Sequence, residues 1–304
     1  MVFFNKPVLN IDEKIKLLKE RDLIFEDEEK EKHYLQHIWY FRLTWYFKFF
    51  QDKENNIFKE WTTFKKVLDL YIFDRKLRLL TLDAIEKIEI SLKANINDYM
   101  TENFWVFWYL EEELFFLESN KEKEIYENFI EKVNNIQNKS SSIFIKEYFK
   151  KYDEKYLPSW MLFEELTIWE LSNVYRIIKT DFRQKIANNF WVYQLDFKIW
   201  IHLLTNIRNI SAHHSRLWNK EYIVKPRKKD KILWNKYLTS YNKDNIEVVI
   251  SNFFNATLII NYLLKIINKN FNWLDDLEKL FEEFPEIPKE KMWFTDNWKE
   301  KILK

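Results

Sequence analysis

Apolar residues recur along this chain three and four positions apart, the spacing of one helix face, and hardly anywhere alternate with polar ones. Ile11, Ile15, Leu17 and Leu18 predict a helix over Ile11–Lys19, with Asn10 placed to cap it. Asp27–His37 predicts a second, charged one. A long stripe from Phe64 through Val67, Leu68, Ile85, Ile88, Leu92 and Ile96 covers Phe64–Met100 without a proline, and Thr81 is the expected break between two helices. Further helices are predicted over Lys121–Gln137, Ile143–Lys151, Trp160–Ile178, Asp181–Asn189, Leu195–Ala212, Ile246–Asn268 and Leu274–Phe284, with Asn134–Ser142 as a surface turn. Strand signals are scarce, and no Asn-Gly or Asp-Gly hairpin exists. The expected class is all-α, one helical domain over residues 1–304.

Composition sharpens this picture mainly by exclusion. The 304 residues are 47% hydrophobic and 32% charged, a globular balance, and the net charge is +1, so any affinity for a polyanion must come from local patches. The absence of cysteine excludes disulfides, thiolate zinc sites and a cysteine nucleophile. No cleavable leader is visible in Met1–Asn10. Val248–Ile267 is the most apolar stretch, but Ser251, Asn252, Asn255, Asn261 and Lys265 interrupt it, so a buried helix is expected rather than a membrane span. The expected location is the cytoplasm.

Candidate chemistry concentrates in one segment, 195–219. Arg208-Asn209-Ile210-Ser211-Ala212-His213-His214 closes a predicted helix. RNA cleavage by its own 2′-hydroxyl requires a proton acceptor, a proton donor for the leaving 5′-oxygen, and a cation on the phosphate. Histidine suits both proton roles near neutrality, and arginine grips phosphate oxygens bidentately. Asn209 and His213 are four residues apart and share a helix face, so Asn209 is a candidate to orient the ring. Arg208 and His213 are five apart, about 140° round a helix. They converge if the arginine wraps round, if the helix ends near Ala212, or if a second copy completes the site. Arg-Asn-x-x-x-His alone is a weak signal.

Other residues are secondary candidates. Lys225, Arg227, Lys228 and Lys229 are placed to follow an RNA backbone or simply to form a solvated loop. Asp74, Arg75 and Arg78, with Glu86, Glu89 and Lys93, are expected to form helix-fixing ion pairs more readily than a groove. The aromatic run Trp39–Phe50 reads as core before it reads as a base-stacking surface. His33 and His37 lack the carboxylate that a His-Glu-x-x-His metal site requires.

The motif with its continuation, Arg208 to Asn219 (Arg-Asn-Ile-Ser-Ala-His-His-Ser-Arg-Leu-Trp-Asn), resembles the hallmark segment of the Abi (AbiD/AbiF-like) abortive-infection family of bacterial phage-defence proteins, within the HEPN superfamily. Tyr40-Phe41-Arg42-Leu43-Thr44, Tyr71 to Arg78, Ile85 to Glu89 and Leu157 to Met161 resemble further blocks in the same order. The resemblance implies a HEPN-like helical bundle with added helices. It also implies a metal-independent endoribonuclease needing no cofactor, with Arg208 and His213 as catalytic pair, Asn209 as orienter and His214 as accessory. The implied partners are RNA as substrate, a second copy of the chain, and an inhibitory RNA or protein, with no membrane. The alternative is an RNA-binding regulator of the same fold that does not cut.

The chain has no glycine and 14 tryptophans. The resembling blocks carry glycine where this chain has Trp39, Trp45, Trp61, Trp105, Trp169, Trp191 and Trp293, whereas Trp108, Trp160, Trp200, Trp218 and Trp298 stand at tryptophan positions. The largest residue does not replace the smallest at tight turns without heavy cost. The expectation is that UGA codons meaning glycine stand at those seven positions, and that several of the seven indoles lie at helix ends or exposed.

Overall fold

The computed structural model describes residues 7–303, so the reading of the chain's start as leaderless falls mostly on residues outside those described. Thirteen α-helices are present among the described residues, together with one two-stranded hairpin, and the fold is all-α. The chain divides into two compact units. One is built from the chain up to Leu79 with Leu277–Lys289, the other from Leu80–Asp276 with the chain from Glu290 on.

The first unit contains α1 (Ile11–Lys19), α2 (Glu28–His37), α3 (Tyr40–Phe50) and the start of α4 (Phe64–Asn103). Asn10 and Glu13 cap α1 reciprocally, each side chain taking the other's backbone N–H. Half of the aromatic run is core and half is not. Leu43, Tyr46 and Phe47 of α3 are buried, while Trp39, Phe41 and Trp45 are exposed. Buried Asp74 pairs with Arg78 one turn on, and the Tyr46 hydroxyl donates to Asp74 at 2.7 Å, so these charges are internal fixtures. Phe73 stacks on Phe281 and meets Phe284 edge-on, which ties α4 to the end of α12 (Trp273–Glu283).

No break occurs at Thr81. Helix α4 runs through it, and Thr81 is fully buried among apolar positions whose packing outweighs threonine's weak helix propensity.

The second unit is organised around α10 (Gln194–Ala212), which packs on α8 (Ile168–Ile177), α9 (Thr180–Asn188) and α11 (Phe253–Ile267); α5 (Asn120–Lys139) lies against α8. Helix α6 (Ile143–Lys151) follows α5, so the expected surface turn shrinks to the three residues 140–142. The single helix expected over Trp160–Ile178 is two, α7 (Ser159–Glu165) and α8, because Thr167 and Glu170 start a new one with a capping box. The helix expected from Ile246 begins at Phe253, capped by Asn252. Before it, β1 (Thr239–Tyr241) pairs antiparallel with β2 (Glu247–Val249). Ten of the α11 residues, Phe253–Ile260 with Leu263 and Leu264, are buried, so this is a core helix; no helix among the described residues is long and apolar enough to cross a membrane. Helix α13 (Trp298–Leu303) ends the described chain.

All seven suspect tryptophans are exposed, from 46% at Trp293 to 77% at Trp61 and Trp191. Of the five expected to be native, Trp108, Trp200, Trp218 and Trp298 are buried and Trp160 is not. Three of the seven, Trp61, Trp191 and Trp293, have φ of 61°, 57° and 72°, the left-handed region that favours glycine.

Candidate functional site

Helix α10 positions the Arg-Asn-x-x-x-His segment. Its Phe197, Trp200, Leu203, Leu204 and Ile207 are buried, so rotation about its axis is fixed. The last helical residue is Ala212, and the helix stops in a Schellman motif. The His214 amide donates to the Ser211 carbonyl at 3.1 Å, and the Ser215 amide reaches back to Ile210 at 2.9 Å. This closure needs a left-handed residue, and His214 supplies it at φ 57°. Leu217 and Trp218, both fully buried, then anchor the departing chain. His213 and His214 are exposed beyond the last turn.

Arg208 and Ala212 line a groove of about 460 Å³, opposite Leu82, Glu86, Glu89, Ile90 and Lys93 of α4. Lys93 pairs with Glu89 at 3.6 Å and also reaches the Glu164 carbonyl at 3.4 Å. The expected ion pairing is therefore present, and the same residues form a groove wall. Among the described residues no carboxylate lies within ion-pair distance of the Arg208 guanidinium. Its Nη1 donates to the Asn209 amide oxygen at 3.4 Å. Asn209 thus contacts the arginine with its side chain, and meets His213 through the main chain, where the His213 amide donates to the Asn209 carbonyl at 3.0 Å.

The basic loop residues separate into two pairs. Arg227 is half-buried and pairs with the buried Asp196 at 3.2 Å, and Lys228 pairs with Glu247 of β2. Lys225 and Lys229 are exposed. Around Asp196, Trp200 and Tyr237 both donate to Asp230, at 3.0 and 2.8 Å, so the loop is bound to α10 by a buried polar network. That network went unread in the sequence, since its members are spread over some 40 positions and follow no motif.

The His33 and His37 rings lie 4.4 Å apart. No group of three or more histidine or carboxylate ligands converges among the described residues.

Residues 33–219 match the sequence pattern of the family described as Abi-like protein. That span starts within α2 and ends just past the histidine pair. No curated protein and no solved structure matches the chain.

Proposed function

The chain belongs to the Abi-like protein family, and from that premise we propose that it is a phage-defence endoribonuclease that cuts RNA without a metal at the end of α10. The observation that carries this reading is the termination of α10. The Schellman closure leaves His213 and His214 exposed directly after Ala212, which together with Arg208 lines the groove.

In the proposed reaction Arg208 holds the scissile phosphate and stabilises the charge that gathers on its non-bridging oxygens. A histidine takes the 2′-hydroxyl proton, and the 2′-oxygen attacks phosphorus in line. The bond to the 5′-oxygen breaks as a second histidine protonates it. The products are a 2′,3′-cyclic phosphate and a 5′-hydroxyl. Asn209, bonded to Arg208, holds the guanidinium. His213 is the principal proton-transfer group and His214 the accessory one.

A homodimer supplies the second acid–base pair. Ile90, 60% exposed beside Arg208, gives that face an apolar residue for a second copy to cover.

Purified protein is expected to cut RNA in the presence of a metal chelator and to leave cyclic phosphate ends. His213→Ala is expected to slow cleavage at least 100-fold, the scale of acid–base catalysis. Full-rate cleavage by that variant, or RNA binding without any cleavage by the intact chain, overturns the reading.

A further inference from the structure

Basic residues also gather on another face of α10. His202 and Arg208 are six residues apart, about 120° round the helix, so they face different grooves. The His202 groove lies between α5, α8 and α10 and has a volume of about 590 Å³, within the range of small-ligand sites. Three of its basic residues come from three different helices: Lys121 from α5, Arg176 from α8 and His202 from α10. No ion pair to a carboxylate forms at any of the three among the described residues. Two acids also line the groove. Glu170 caps α8 and pairs with Lys132 at 3.4 Å, and Glu124 sits exposed on α5.

The crowding has an electrostatic consequence. Partial burial, followed by the charges of Arg176 and Lys121, holds His202 below the usual histidine range. One turn earlier, Lys198 is held below its ordinary value by burial and then by Arg183 and Arg176. Cations that disfavour one another in this way are stabilised by an incoming anion. A bare phosphate would leave most of the groove unfilled. The remaining wall supplies two amides, Asn128 and Asn173, each with both a donor and an acceptor, over a floor formed by Phe129.

We propose that this groove is a second site, which takes a phosphorylated nucleoside, with Lys121, Arg176 and His202 on the phosphate and Asn128 and Asn173 on the edge of the base. The assignment does not depend on the ribonuclease reading. Trp169 forms part of the rim, its ring 6.4 Å from that of His202, and a glycine there widens the entrance without removing any of the five recognising groups.

Calorimetric titration of the full chain tests the site. The ligands are AMP, GMP, CMP and UMP, inorganic phosphate, and a 5′-phosphorylated deoxyoligonucleotide that a 2′-hydroxyl mechanism cannot cut. One nucleotide is expected to bind per chain, at least tenfold tighter than inorganic phosphate. Arg176→Gln and Lys121→Gln are each expected to weaken it about tenfold, and Arg208→Gln to leave it unchanged. His202→Gln, at an exposed position, gives a second reading if Arg176→Gln fails to fold. Binding of the oligonucleotide instead of free nucleotides, with the same dependence on Arg176, supports the site and identifies a strand end as its source. The proposal is overturned if no nucleotide or oligonucleotide binds, if phosphate binds as tightly as nucleotides, or if binding is lost in Arg208→Gln and kept in Arg176→Gln.

Discussion

The Ser215 amide donates to the Ile210 carbonyl at 2.9 Å, and this bond turns the chain away from α10 and leaves His213 and His214 outside the last turn. The closure rests on His214 at φ 57°, where a Cβ crowds the neighbouring carbonyl and glycine is the usual occupant. Replacing His214 with glycine is therefore expected to stabilise the protein by about 1 kcal/mol. Urea unfolding of the two proteins decides it, and a variant less stable than the parent would mean that the histidine side chain contributes more than its backbone costs.

Asp74 and Arg78 make the opposite case, where removal is severe. The pair is buried, at 0% and 3% exposure, with the Tyr46 hydroxyl donating to the carboxylate. Asp74→Ala leaves a buried guanidinium uncompensated and is expected to cost about 3–5 kcal/mol. Replacing Asp74 and Arg78 together by leucine and methionine is expected to cost less than the single change. Equal losses in the two variants would show that the charges do not compensate one another.

Asp196 gives the fold a pH dependence. Its pKa is pushed up to about 6, first by burial and then by the charge of Asp230, with Arg227 and Lys231 opposing. A folded-state pKa above the ordinary 3.8 means that folding takes up a proton. The stability this contributes is full below about pH 4 and is lost as pH rises through about 6. Relative to Asp196→Asn, the parent chain should lose about 3 kcal/mol between those limits. Thermal unfolding across that window is the measurement, and parallel profiles for the two proteins would contradict it.

How far the fold could be read from sequence depended on which signals this chain retains. Helices with strong apolar periods, such as Ile11–Lys19, which Asn10 and Glu13 also cap, and Ile143–Lys151, have the limits their pattern implies. The β1–β2 hairpin did not show, because hairpin signals are keyed to glycine and this chain has none. Asn245 takes the left-handed turn position at φ 57°, and the Asn242 side chain accepts from the Asp244 and Ile246 amides. Val248 and Val249 then looked like the start of α11, since a short apolar run does not separate strand from helix. At the site, the motif and the end of its helix were legible in a local pattern. The groove wall from Glu86 to Lys93 and the held state of Arg227 were not, because they depend on which helices pack together.

The same lack of glycine leads to the last prediction. Trp61, Trp191 and Trp293 hold left-handed backbone with exposed indoles, so each bears a steric cost that burial offsets least at Trp61 and Trp191, both 77% exposed. Trp191 shows the geometry most fully: the Val192 amide reaches the Ala187 carbonyl at 3.2 Å, closing α9 around a residue at φ 57°. Glycine at each of the three is expected to stabilise the protein by about 1 kcal/mol. Trp45 is the internal control. It sits inside α3 with no positive φ, and nothing in its backbone calls for glycine, so Trp45→Gly is expected to cost about 1 kcal/mol instead. The coding sequence offers an independent check. UGA at Trp61, Trp191 and Trp293, with UGG at the buried Trp108, Trp200 and Trp218, is the expected division, and UGG at all six would leave the left-handed tryptophans as native strain.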